Sequence, residues 1–221
     1  MTKIFNTEDL KELDRNFRKN LINSFNGFKS AFLVGSCDIQ GNTNLAIFSN
    51  IFHVGANPPY IGMLVRPHSV PRHTLENILQ INHYTINHIH KSFYEKAHLT
   101  TANFDRDCSE FTVAGLTPEY GNVVKAPYVK ESSIKAGLQL VEKKEIAVNN
   151  TILLIGEVQE FIIKDKKYIE QDGFIDHIEA ESVASIGLDA YAEGKKLERL
   201  PYPNKEKLTA KLKLGENGSK A

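Results

Sequence analysis

The sequence predicts a mainly β chain with few, short helices, arranged as an antiparallel barrel of about six strands. Three observations carry that expectation. Short apolar or alternating runs recur between clusters of turn-forming residues. Two long strand-like segments meet at Asn149-Asn150, a pair that tolerates the positive φ angles of tight hairpin turns. Helical periodicity is confined to two stretches, too few for a βαβ wound sheet.

Leu10, Leu13, Phe17 and Leu21 recur at three- and four-residue steps, which predicts an amphipathic helix over about 7–22. Thr7 is its expected cap, and Glu8 and Asp9 suit its positive end. Asn26-Gly27 breaks the pattern. The run 31–37 reads as a strand and Asp38-Ile39-Gln40-Gly41-Asn42 as a turn. Strands are expected over 45–54 and, after Asn57-Pro58-Pro59, over 60–65. Proline at a strand entrance removes no interior ladder bond. A rigid basic loop, 66–73, leads to a short helix over 74–79 capped by Thr74. A strand follows at about 83–90. Residues 91–122 mix helical turns and polar loops, and the hairpin 135–148/151–163 closes the core.

The 221 residues are 41% hydrophobic and 24% charged, with 27 basic and 27 acidic side chains. That is an ordinary globular composition, sized for one domain over 1–203. Residues 204–221, Lys-rich with few apolar anchors, are expected to form a flexible tail. Zero net charge argues against a nucleic-acid binder that relies on a broad positive field. No apolar run approaches the roughly 20 residues of a membrane span, and the first residues lack the apolar core of a signal peptide. Two cysteines cannot build a disulfide framework, so a cytoplasmic protein is expected.

The P-loop, Rossmann, nucleophile-elbow and zinc-protease motifs are absent. What stands out is Arg66, His68, Ser69, Arg72, His73 and Thr74 in nine residues, ending on a helix start. Free N–H groups and the helix dipole favour an anion there, and arginine offers phosphate a planar fork. A solvated basic turn with an ordinary cap fits the same residues. In 44–50, alternation puts Asn44, Ala46, Phe48 and Asn50 on one face. Polar Asn44, Ser49 and Asn50 punctuate an apolar segment, either for a ligand or for a barrel-end hydrogen bond. His88 and His90 share a face but lack a nearby acidic or thiol ligand. Cys37 reads as a buried hydrophobe and Cys108 as a loop residue. Asp105, Asp107 and Glu110 read as a solvated face.

Taken in order, Asn44-x4-Ser49, Asn57-Pro58-Pro59, Arg66 and Arg72-His73-Thr74-x2-Asn77-Ile78 resemble the flavin reductase-like, FMN-binding split-barrel family, which includes flavoredoxins. Ser109-Glu110-Phe111, Gly115-Leu116-Thr117, Ala126-Pro127-Tyr128-Val129-Lys130-Glu131-Ser132 and Ile155-Gly156-Glu157-Val158 fit its later segments. Ala46 and Ile47 depart from it, since a threonine commonly follows the first asparagine. The resemblance covers about residues 28–165. It implies a six-stranded antiparallel split β-barrel of Greek-key type, a homodimer, and FMN near the subunit interface. It places Asn44, Ala46, Ile47, Phe48, Ser49 and Asn50 along the ring and ribityl chain. Arg66, Ser69, Arg72, His73 and Thr74 would surround the phosphate. Gly187-Leu188-Asp189-Ala190-Tyr191 resembles a stretch near the flavin, so Tyr191 could cover the ring.

The implied activity is hydride transfer from NAD(P)H to flavin or a small acceptor, with no catalytic acid, base or nucleophile named. A partner monooxygenase or electron-transfer protein would fit beside it. Two alternatives are an FMN-binding electron carrier reduced by a partner protein, and a non-catalytic barrel that binds another anion.

Overall fold

The computed structural model describes residues 1–200 and Asn204. The expected tail, 204–221, lies outside the described residues apart from Asn204. The elements, in chain order, are α1 (Thr7–Glu12), α2 (Arg15–Ser24), β1 (Lys29–Ser30), β2 (Phe32–Cys37), β3 (Thr43–Phe48), β4 (Ile51–Ala56), β5 (Pro59–Val65), α3 (His73–Ile81) and β6 (His83–His88). They continue with α4 (Tyr94–Leu99), α5 (Glu110–Ala114), β7 (Pro118–Glu119), β8 (Tyr128–Val129), β9 (Ile134–Ile146), β10 (Thr151–Ile163), β11 (Val183–Ile186) and β12 (Ala190–Glu193).

The N-terminal segment is two helices rather than one. Asn6, not Thr7, caps α1, accepting from the N–H groups of Glu8 and Asp9 while the Asp9 carboxylate accepts from the Asn6 N–H. That reciprocal pair satisfies donors that a helix start otherwise leaves open. Asp14 then starts α2 by accepting from Asn16 and Phe17. Those two bonds hold its carboxyl below the usual range. A second cap inside one apolar pattern divides the helix without disturbing the stripe.

The main sheet has seven strands in the order β3-β2-β6-β9-β10-β5-β4, every pair antiparallel. The difference from six lies at Ser49-Asn50, which splits the expected 45–54 strand into β3 and β4. Those two strands lie at opposite edges of the sheet yet are joined by two residues. The sheet must therefore curl until its edges adjoin, and the Leu64 N–H bonds the Asn50 carbonyl at that corner. Register shifts at Ile155/Gly156 and Val158/Glu160 bend the long β9–β10 hairpin, as bulges do where a sheet closes. The result is a split β-barrel.

One core, including Val34, Met63, Tyr84 and Leu154, fills the barrel and receives Leu75 and Ile78 of α3. A second, including Leu33, Leu45, Phe93 and Phe111, lies on the other face of β2 under α4 and α5. Burial on both faces explains why 32–37 reads as an unbroken apolar run. The small β1-β11-β12 sheet stands beside the start of β2.

Candidate functional site

Residues 64–74 accompany β3 in antiparallel fashion. Leu64 is tied to Asn50 at one end, and Thr74 accepts a 2.9 Å bond from the Asn44 amide at the other. Residues of this segment, of β3 and of 100–106 line a cavity of about 520 Å³, within the range of sites that take small molecules.

Asn44, Ala46, Ile47, Phe48, Ser49, Asn50, Arg66, Arg72, His73, Thr74 and Tyr191 all line it. Ser69 does not; it is exposed on the outer turn of the loop. Thr74 is not the helix cap. Arg72 occupies that position and offers no side-chain cap bond. Glu76 instead reaches back to accept from the Arg72 N–H at 3.0 Å. The next donors, on His73, Thr74 and Leu75, have no capping side chain among the described residues, and the first helical bond runs from Glu76 N to the Arg72 carbonyl. This open helix start is an electropositive wall. The Thr74 hydroxyl accepts from Asn44 and so keeps its own proton to donate. Arg72 bends back to the Pro67 carbonyl at 3.4 Å. Arg66 is exposed and, among the described residues, makes no hydrogen bond or ion pair.

Two wall segments were not legible as site residues. The first is 100–106, which follows α4 and places Thr100, Asn103, Phe104 and Arg106 on the cavity. The second is Glu110, which is buried rather than solvated and accepts from the Leu45 N–H at 2.9 Å. Leu45 belongs to an edge strand, and this carboxylate satisfies its outward-facing donor. Burial pushes the Glu110 carboxyl upward, opposed by the Leu45 bond and the nearby His73. Asp105 and Asp107 are exposed as expected.

Tyr191, on β12, packs 5.4 Å from the Tyr94 ring and shares a 2.9 Å hydrogen bond with His98 Nδ1. Tyr191 lines the cavity, and its hydroxyl is engaged by His98. His88 packs between Phe32, at 4.5 Å, and His177, at 4.3 Å, and takes part in no cluster of metal-binding residues among those described. Cys37 is buried, with Sγ 3.5 Å from the Lys125 carbonyl, and Cys108 is half-buried.

The cavity thus presents donors and positive charge on one wall and a largely apolar strand, Ala46 to Phe48, on the other. An elongated ligand with an anionic end and a flat apolar body suits that division.

Comparison with known proteins shows the family and the fold. Residues 25–174 match the family model of the flavin reductase like domain. A flavin reductase-type protein with a split barrel domain from Shewanella frigidimarina NCIMB 400 is similar at 49% identity. It superposes with a TM-score of 0.88 over 91% of this chain and 100% of that one. Nitrilotriacetate monooxygenase component B from Bacillus cereus shares the fold at 24% identity and a TM-score of 0.78, over 90% and 98% of the two chains. Flavoredoxin of Desulfovibrio vulgaris (Miyazaki F) shares it at 22% identity and 0.70, over 80% and 92%.

Proposed function

Since the chain belongs to the flavin reductase-like domain family, we propose that it is an FMN-binding oxidoreductase that moves hydride from NAD(P)H to flavin or a small acceptor. One observation carries this reading: the start of α3, with Arg66 and Arg72, and the apolar strand 46–48 line a single cavity. The N–H groups at the start of α3, with Arg66, Arg72, His73 and Thr74, would hold the phosphate. Ala46, Ile47 and Phe48 would lie along the ring, with Ser49 and Asn50 as its polar contacts and Tyr191 as a cover. Bound there, the flavin supplies the hydride chemistry of the reaction.

The chain's own task is to bind and orient. Glu110, the buried carboxyl of the wall, accepts from the Leu45 amide and so helps to hold β3 in place beside the cavity. The open helix start concentrates positive potential without mobile side chains, so little ordering is lost on binding. The working unit in this reading is a homodimer, supported by exposed Phe52 and Val54 on the uncovered edge strand β4. A cytoplasmic site of action fits two unpaired cysteines. No described helix is long and apolar enough to cross a membrane. A monooxygenase partner taking up the reduced flavin is compatible with the fold shared with a monooxygenase component B.

Anaerobic mixing of the flavin-loaded protein with NADH and with NADPH tests the activity. Bleaching of the flavin's visible absorbance at a catalytic rate with either donor is the expected result. Reduction by dithionite alone would instead identify an electron carrier served by a partner protein. For the binding site, Arg66→Ala is expected to weaken FMN by about 1.5–3 kcal/mol, the range for a hydrogen bond to a charged group. Equilibrium dialysis reads this directly, and an unchanged affinity would remove Arg66 from the phosphate ligands.

A further inference from the structure

Glu76 joins three parts of the cavity wall through one carboxylate. Its Oε1 accepts from the Arg72 N–H at 3.0 Å and lies 2.9 Å from His68 Nε2. Its Oε2 pairs with Arg106. Arg106 also donates to the Asn77 side-chain carbonyl at 3.2 Å, and Asn77 is buried and bonded in turn to Ser36 on β2. The basic loop, the start of α3 and the 100–106 wall therefore share a single knot.

The 101–107 segment has little else to hold it. Thr101, Ala102, Asn103, Asp105, Arg106 and Asp107 are exposed, and only Phe104 is half-buried. Backbone bonds on this segment stay local, such as Ala102 N to Leu99 and Cys108 N to Asp105. Among the described residues, Arg106 is its one side chain that bonds another element. A wall that is exposed along its length and fastened at one point opens by breaking that fastening.

We propose that Arg106 and Glu76 form a latch that holds 101–107 against α3 and sets how quickly flavin enters and leaves the cavity. The inference rests on the flavin-binding reading above and adds to it the control of exchange. Both are positioning residues here: Glu76 fixes Arg106 and the Arg72 backbone, and Arg106 fixes the strap. Because the pair is partly exposed, with 42% and 25% of the two side chains accessible, one broken link should change the open fraction by a modest factor.

The test compares the wild type with Glu76→Gln, Arg106→Gln and the double variant. Glutamine at 76 retains an oxygen for the Arg72 N–H, so the helix start survives. Each protein is loaded with FMN and, separately, with riboflavin, and release is followed by recovery of flavin fluorescence after dilution. Each single variant is expected to release both ligands about fivefold faster, with the double variant no faster than either single one. Raising the salt concentration should speed release of riboflavin from the wild type and leave that from the Arg106→Gln variant unchanged. Faster release of FMN but not of riboflavin would make Arg106 a direct phosphate ligand and overturn the latch. Unchanged release of both would overturn it while leaving flavin binding intact. Should the wild type take up neither flavin, the proposed function falls. The latch would then be judged by amide exchange of 101–107 in the flavin-free protein: faster exchange in Arg106→Gln upholds it, and equal exchange refutes it.

Discussion

Gly35→Ala is expected to cost at least about 3 kcal/mol of stability, with a drop in Tm of roughly 6–12 °C. A methyl group there would sit 2.1 Å from the Pro127 carbonyl oxygen, itself backbone, and 2.6 Å from Thr85 Oγ1. Neither neighbour can withdraw. Thr85 donates to that same carbonyl at 2.6 Å, Asn87 donates to Thr85 and to the Leu33 carbonyl, and the Val129 N–H donates to Asn87. All of this is buried between β2, β6 and β8. Gly35 thus lets the 126–129 segment cross the sheet at backbone contact, and the extra carbon must break a buried polar network. A differential-scanning measurement reads the loss, and a Tm within 2 °C or so of the wild type would show that the crossing is looser than this geometry.

Acid should destabilise the protein through His88. Burial, with the neighbouring His177 adding to it, lowers the His88 pKa to about 3. In the unfolded chain the imidazole takes up its proton near pH 6.5, while in the fold it stays neutral to about pH 3. The unfolded state therefore binds more protons throughout that window. The stabilisation is complete above pH 6.5 and is lost as the pH falls toward 3. Between pH 7 and pH 4 the loss from this group is about 3 kcal/mol, at 1.36 kcal/mol per unit. Urea unfolding of the wild type and of His88→Gln at both pH values isolates the contribution. The variant should lose about 3 kcal/mol less than the wild type over the same change. Parallel losses would show that the ring titrates normally between Phe32 and His177.

The strands were legible where pattern and burial agree. The β9–β10 hairpin over Asn149-Asn150 announces itself because alternation and turn chemistry coincide, and Asn150 indeed takes a φ of 57°. The corner at Ser49-Asn50 was hidden, since nothing local distinguishes a change of strand from a polar pair within one. What makes it a corner is the closure of the sheet, with Leu64 bonding Asn50. The first helix was divided for a similar reason: Asp14 caps α2 from inside a continuous apolar stripe.

At the site, the loop 66–74 could be read from its arginines and its helix start, and most of its residues do line the cavity. Glu110 could not. Its neighbours Asp105 and Asp107 are solvated, and its partner, the Leu45 amide, lies 65 residues away. Arg106 was opaque on the same grounds, because its role depends on Glu76 and Asn77 across the fold. Short-range patterns report faces and turns; pairings between distant edges belong to the topology.

The central claim is that the cavity beside β3 takes a flavin mononucleotide with its phosphate at the start of α3. A crystal structure of the protein grown with FMN tests it most directly. The account requires the phosphate within hydrogen-bond reach of the His73 and Thr74 backbone N–H groups and the ring against Ala46 and Phe48. Phosphate density elsewhere, or a ring bound outside this cavity, would contradict it.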